Sequence, residues 1–138
     1  MVDSAGRAAG WTSPKGPPPV LGIGLPVRNG ARYLAETLQC LREQEFADVE
    51  VLIADNCSTD ETAQIARAAA ADDPRIRYVR HERNLGADGN FNYVFHHTRG
   101  ELFAWLASDD RFDPQFYTRC VQMLRDRPDA VASFTSVQ

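Results

Sequence analysis

Residues Glu101 to Pro114 read ELFAWLASDDRFDP, and the reading of this stretch decides the fold. Gly100 precedes an apolar run, Leu102-Phe103-Ala104-Trp105-Leu106-Ala107, that is far too short to span a membrane. An uninterrupted run of this length suits a strand buried on both faces, in the middle of a parallel sheet covered by helices. It stops at Ser108-Asp109-Asp110, so two adjacent carboxylates stand at the C-terminal end of that strand. Ligands of open α/β sheets bind along that edge. Adjacent carboxylates repel unless a cation relieves them, and hard cations such as Mg2+ or Mn2+ favour carboxylate oxygen. The plainer alternative makes Asp109 and Asp110 loop acids that cap the next turn. A third acid, at the end of another strand, weighs against that alternative.

Upstream of the stretch the chain alternates strands and helices. Val20 to Val27 (VLGIGLPV) predicts a first strand. Gly22 and Gly24 lie inside it, whereas a dinucleotide fingerprint needs glycines after the strand and another opening the helix, so that reading is rejected. Pro26 and then Arg28-Asn29-Gly30 turn the chain into a helix over about Ala31 to Glu45, whose Leu34, Leu38 and Leu41 share one face. Val49 to Ala54 predicts a second strand that ends at Asp55. Ser58 and Glu61 have capping-box spacing for a helix that runs to about Ala71. Asp55 precedes that cap and is not explained by it. Ile76 to Arg80 predicts a short, polar strand at a sheet edge. The loop from His81 to Asn90 is rich in Asn and Gly, residues that tolerate positive φ. A helix follows from about Asp88 to Thr98, with Phe91, Val94 and Phe95 inward and His96-His97 as cations near its C-terminus.

Downstream, Asp113-Pro114 starts a helix to about Arg127 that is expected to bury Phe116, Cys120, Met123 and Leu124. Ala130 to Val137 reads as a fifth strand. Residues 1–19, dominated by Gly, Ala, Ser and Pro, are expected to be a disordered leader, with residues 20–138 forming the domain. The resulting β-α-β-α-β-α-β-α-β order predicts a three-layer α/β/α fold with a twisted, mainly parallel sheet.

Composition narrows the function. The 138 residues are 43% hydrophobic and 25% charged, ordinary for one globular domain. A net charge of -4 argues against nucleic acid as a partner, and no stretch is apolar enough for a transmembrane segment. Cys40, Cys57 and Cys120 lack metal-ligand spacing and are odd in number, which argues against a disulfide framework. A cytoplasmic location is the expectation, with peripheral membrane attachment through regions outside these residues as a variant. Three carboxylates expected on one crevice, with no Walker-type phosphate loop, suit a diphosphate held through a divalent cation.

Four segments in order resemble the N-terminal half of a family 2 glycosyltransferase of the GT-A, Rossmann-like fold. They are Gly24-Leu25-Pro26-Val27-Arg28-Asn29-Gly30, then Asp55-Asn56-Cys57-Ser58-Thr59-Asp60-Glu61-Thr62, similar to D-D-G-S-T-D-G-T, then Arg83-Asn84-Leu85-Gly86, similar to R-N-x-G, and Leu106-Ala107-Ser108-Asp109-Asp110, similar to L-D-x-D-D. The resemblance implies a nucleotide-diphosphate sugar as donor, an acceptor hydroxyl on a glycan, lipid-linked carrier or protein, and inverting, metal-dependent transfer. It implies that Asp55 hydrogen-bonds the nucleobase and that Pro26 and Val27 line the base or ribose site. Asp109 would reach the ribose or diphosphate, and Asp110 would bind Mg2+ or Mn2+. Asn84 and Gly86 would shape the loop under the nucleotide, with Arg83 contacting base or phosphate. The catalytic base is expected beyond residue 138, the domain being incomplete at its C-terminus.

The chain departs from the family pattern at Ala107, at Asn56 and Cys57, and at Phe91, where many members carry Arg. These departures keep a second reading open. It is a truncated or degenerate GT-A module that binds nucleotide or a partner protein without catalysis.

Overall fold

The computed structural model describes residues 16–134. Its first two strands, β1 (Leu21–Val27) and β2 (Val49–Asp55), are buried along their whole length. They form the middle of a four-stranded sheet of order β3-β2-β1-β4, with β3 at Ile76–Arg80 and β4 at Leu102–Trp105. All three pairings are parallel, with Val27 level with Asp55 and Gly24 level with Trp105. The α/β reading therefore holds, and β3 is an edge strand as expected.

The helices are α1 (Ala31–Arg42), α2 (Thr62–Asp72), α3 (Gly86–His97) and α4 (Phe116–Asp126). One core joins Leu34, Leu38 and Leu41 of α1, Ala66 and Ala69 of α2, and Tyr117 and Val121 of α4 to Ile23, Leu25, Val51 and Ile53 of the sheet. The opposite face is smaller, with Val94 of α3 against Leu52 and Ala54. A Cβ at Gly24 would stand 2.7 Å from a Val94 methyl, so the glycine inside β1 lets α3 press directly on the strand. That is the role of a glycine that had no phosphate to bind.

At the N-terminal edge of the sheet, Glu50 is only 6% exposed and is held between two guanidinium groups. Arg77 approaches it at 2.8 Å and Arg99 at 2.9 Å, and Arg77 also donates to the His97 carbonyl at the end of α3. A buried carboxylate persists when it is paired and hydrogen-bonded in this way.

Several sequence expectations need correction. Among the described residues β4 lies at an edge of the sheet and not in its middle, and Trp105 is 53% exposed. Phe91 and Phe95 are exposed, and only Val94 of the three expected residues is buried. On α4 the buried pair is Tyr117 and Val121, while Met123 is 49% exposed. The helix also starts later than expected, at Phe116, because the Asp113 carboxylate accepts from the Gln115 N–H at 2.9 Å and a turn intervenes. Residues 130–134 contain no strand, and the rest of the expected fifth strand lies outside the described residues. Of the expected leader, residues 1–15 also lie outside. Gly16 and Pro19 accept hydrogen bonds from Arg99 and from the Glu101 N–H.

Cys57 occupies a left-handed conformation, φ +59°, where the family pattern has Gly. A side chain there costs about 1–2 kcal/mol, while glycine loses about 0.5–1 kcal/mol of extra backbone entropy on folding. We therefore expect Cys57→Gly to stabilise the chain by about 0.5 kcal/mol, read as a higher urea midpoint at unchanged slope. A lower midpoint would show that the Sγ contact with the Glu82 carbonyl at 3.8 Å matters more than the strain.

Candidate functional site

The C-terminal ends of the four strands carry the turns named above, and side chains from one loop hold the backbone of the next. Asn29 has φ +52° and accepts from the Thr59 N–H at 2.8 Å through Oδ1. The N–H groups of Asn29, Gly30 and Ala31, which open α1, donate to Ser58 Oγ, Thr62 Oγ1 and Asp60 Oδ2 at 2.9, 2.9 and 3.1 Å. The loop after β2 thus caps the helix after β1. The expected capping box of Ser58 and Glu61 on α2 is not formed, because Glu61 makes no side-chain cap and Ser58 Oγ serves α1. Partial burial opposes ionisation of Asp60, yet hydrogen bonds from Thr62 and the Ala31 N–H outweigh it and hold the carboxyl below its ordinary range.

Asp55 lies beneath this loop and is 0% exposed. Its Oδ1 accepts from the Ser58 N–H at 2.8 Å and its Oδ2 from the Tyr78 hydroxyl at 2.9 Å, with Arg80 Nε at 3.7 Å. In this structure the side chain expected to meet a nucleobase supports the loop from below. Burial, then the Asp55 hydrogen bond and charge, push the Tyr78 hydroxyl up to about 12. Its folded pKa thus exceeds the ordinary tyrosine value of about 10. Its contribution to stability is therefore full below about pH 10 and lost as pH rises through about 12. Urea unfolding across that window should show the loss, and Tyr78→Phe should reduce it; an equally steep loss in the variant would contradict the assignment. Burial also raises the Tyr117 pKa, so a residual slope is expected.

Two asparagines missed by sequence reasoning hold the third loop. Asn56, 3% exposed, accepts from the Leu85 N–H at 2.7 Å and donates to the Gly86 carbonyl at 2.9 Å. A carboxylate in its place could not make the second bond. Asn90, also 3% exposed, donates to the Ala54 carbonyl at 2.8 Å, which turns its Oδ1 to His81 Nε2 at 2.9 Å. Burial lowers the His81 pKa against the opposing effects of Asn90 and Asp55. A polar residue four positions before Val94, on the inward stripe of α3, was the available signal for Asn90. Arg83, Asn84 and Gly86 are exposed on this loop; Gly86 has φ +78°, and its N–H donates to Asn84 Oδ1 at 2.9 Å.

The acid turn follows β4. Leu106, 3% exposed, continues the pairing with a bond from its N–H to the Gly24 carbonyl. Asp109 and Asp110 then emerge exposed, and the Ala107 N–H donates to Asp110 Oδ2 at 3.1 Å. Pro26 and Val27 are buried at the end of β1, and a Cβ at Gly30 would stand 3.0 Å from Ser108 Oγ, so the first and last turns adjoin. Asp55 and the acid turn are separated by β1, roughly 10 Å across two strand spacings. Among the described residues no three His, Cys, Asp or Glu side chains gather as an ion cage, so the expected three-carboxylate cluster reduces to Asp109 and Asp110. That donor set suits Mg2+ or Mn2+ completed by phosphate oxygens and water, since such ions are bound through one or two carboxylates plus substrate. No helix among the described residues is long and apolar enough to cross a membrane.

The four-stranded parallel sheet with its covering helices has the GT-A glycosyltransferase fold. Two solved structures share it: S. aureus TarS 1-349 in complex with UDP-GlcNAc (TM-score 0.73, 24% identity, 79% of this chain and 32% of that one) and the mannosyltransferase PcManGT from Pyrobaculum calidifontis with GDP-Man and Mn2+ (0.72, 24%, 80% and 33%). The sequence profile of "Glycosyl transferase family 2" matches residues 23–138, and the chain belongs to that family. It is 35% identical over 119 residues to an uncharacterized protein, y4gI, of Sinorhizobium fredii, covering 85% of this chain and 13% of that protein. It is 30% identical over 107 residues to the chondroitin synthase of Escherichia coli, covering 78% and 16%. The chain therefore spans less than a fifth of the length of these relatives.

Proposed function

We propose that these residues form the donor-binding part of an inverting, metal-dependent glycosyltransferase, which moves a sugar from a nucleotide diphosphate to an acceptor hydroxyl. The observation that carries this reading is the exposed Asp109–Asp110 pair on the turn after β4, at the C-terminal edge of a parallel sheet in a family 2 chain. Asp110 would hold Mg2+ or Mn2+, and Asp109 would meet the ribose or diphosphate. The ion would supply positive charge to the departing diphosphate. Pro26 and Val27 floor the base and ribose side, and Arg83 and Asn84 present exposed donors on the rim above Gly86. Asp55 acts through the 56–62 loop that it supports, not by touching the base.

The test is equilibrium binding of UDP-GlcNAc and GDP-mannose to the chain, each with Mn2+ and with chelator. Saturable, Mn2+-dependent binding of one donor is expected. A second reading, the non-catalytic module, is favoured by Ala107, which stands where the family pattern has its first Asp and leaves one carboxylate fewer beside Asp109 and Asp110. Donor binding that is indifferent to metal would support it.

A further inference from the structure

Thr37 is out of place on the inward face of α1. It lies among Leu34, Leu38 and Leu41 and is 1% exposed, where an unpaired hydroxyl would be costly. A helical Thr commonly turns its hydroxyl to the carbonyl one turn back. Here Oγ1 reaches across the core to the acid turn, 2.9 Å from the Ser108 carbonyl and 3.1 Å from the Asp110 carbonyl. One hydroxyl proton serves both, as a three-centre bond. Gln44, seven residues further along and 8% exposed, extends the grip. Its Nε2 donates to the Asp113 carbonyl at 2.7 Å and its Oε1 accepts from the Tyr117 N–H at 3.2 Å. The Glu45 N–H donates to the Pro114 carbonyl at 2.9 Å. The segment that carries Asp109 and Asp110 is therefore anchored at its start by Thr37 of α1 and at its end by Gln44 and Glu45, just past the end of α1.

We propose that Thr37 is a positioning residue for the acid turn: by fixing the Ser108 and Asp110 carbonyls it sets the direction of the Asp109 and Asp110 carboxylates, and with it the affinity for a divalent cation carrying a nucleoside diphosphate. The inference rests on the donor-site reading above. Thr37 touches neither ion nor nucleotide. Its hydroxyl is separated from them by the backbone it holds.

Calorimetric titration of the chain with UDP, dTDP and GDP, each with Mn2+ and with chelator, tests this. Thr37→Val keeps the shape and removes the proton, and Thr37→Ser restores it. With Mn2+, Thr37→Val should weaken the nucleotide that the unaltered chain binds by about five- to tenfold, leave metal-free binding unchanged, and be rescued by Thr37→Ser. If Thr37→Val does not melt cooperatively, Thr37→Cys, with a weak thiol donor, should show a smaller Mn2+-specific loss. Equal losses with and without Mn2+, full affinity in every variant, or failure of Thr37→Ser to rescue would overturn the positioning role alone. No binding of UDP, dTDP or GDP by the unaltered chain would overturn the donor-site reading and this inference together.

Discussion

Asp55→Ala should lower the unfolding free energy of the chain by about 4 kcal/mol, the largest loss expected from any single substitution at the site. The carboxylate is fully buried, and truncating it removes the acceptor of the buried Ser58 N–H and of the half-buried Tyr78 hydroxyl. Each stranded buried donor costs about 1–3 kcal/mol. The Arg80 guanidinium at 3.7 Å contributes less, since Arg80 is 41% exposed and solvent screens the pair. The consequence runs further than the pair, because Ser58 also caps the opening of α1 through the Asn29 N–H. Asp55→Asn keeps the volume and one acceptor, for the Ser58 N–H, while its Nδ2 can only donate to the Tyr78 hydroxyl oxygen, so its cost should be about half as large. Urea unfolding of the two variants checks this. Equal and small losses would mean that Asp55 is not the support of the loop, and would return it to the nucleobase role.

Asp110→Asn should do the reverse: little harm to stability and a large loss of function. The residue is exposed, and its side-chain oxygen can still accept from the Ala107 N–H, so stability should change by no more than about 0.5 kcal/mol. The carboxamide is a poor ligand for a hard cation. Since removing even an outer partner of a metal ligand costs about 10–100-fold, removing the ligand itself should weaken Mn2+-dependent nucleotide binding by at least about a hundredfold. Calorimetry with and without Mn2+ reads this directly. Unaltered Mn2+-dependent binding in the variant would remove Asp110 from the metal site and leave Asp109 as the remaining candidate.

The contrast between these two acids also shows what the sequence could convey. Both stand at strand ends, and strand ends were legible: largely apolar runs marked β1 and β2, and the Leu34, Leu38 and Leu41 stripe marked α1. Exposure was not legible, because it depends on which neighbouring loop closes over the residue. Asp55 is covered by the chain around Ser58, and Asp110 is not. The same reason explains the missed partners. Ser58, Asp60 and Thr62 look like a local cap for α2, but they meet backbone about thirty residues upstream. Asn56, Asn90 and Thr37 read as single polar residues whose partners no local pattern names. The buried stripe of α4 lies one position away from the expected one: Tyr117 and Val121 face the core, Phe116 packs beside them and Met123 is exposed. β4 reads as a central strand by composition, yet among the described residues only β1 pairs with it, leaving Phe95 stacked on Trp105 at the surface.

The most direct test of the donor site is a thermal melt of the chain with UDP, dTDP and GDP, each with and without Mn2+, with Asp110→Asn alongside. A ligand that binds the folded chain alone must raise the melting temperature as it saturates the site. The account predicts a rise with one nucleotide, present with Mn2+ and absent both without it and in Asp110→Asn. A cooperative melt that none of the three nucleotides moves, with or without Mn2+, would contradict it.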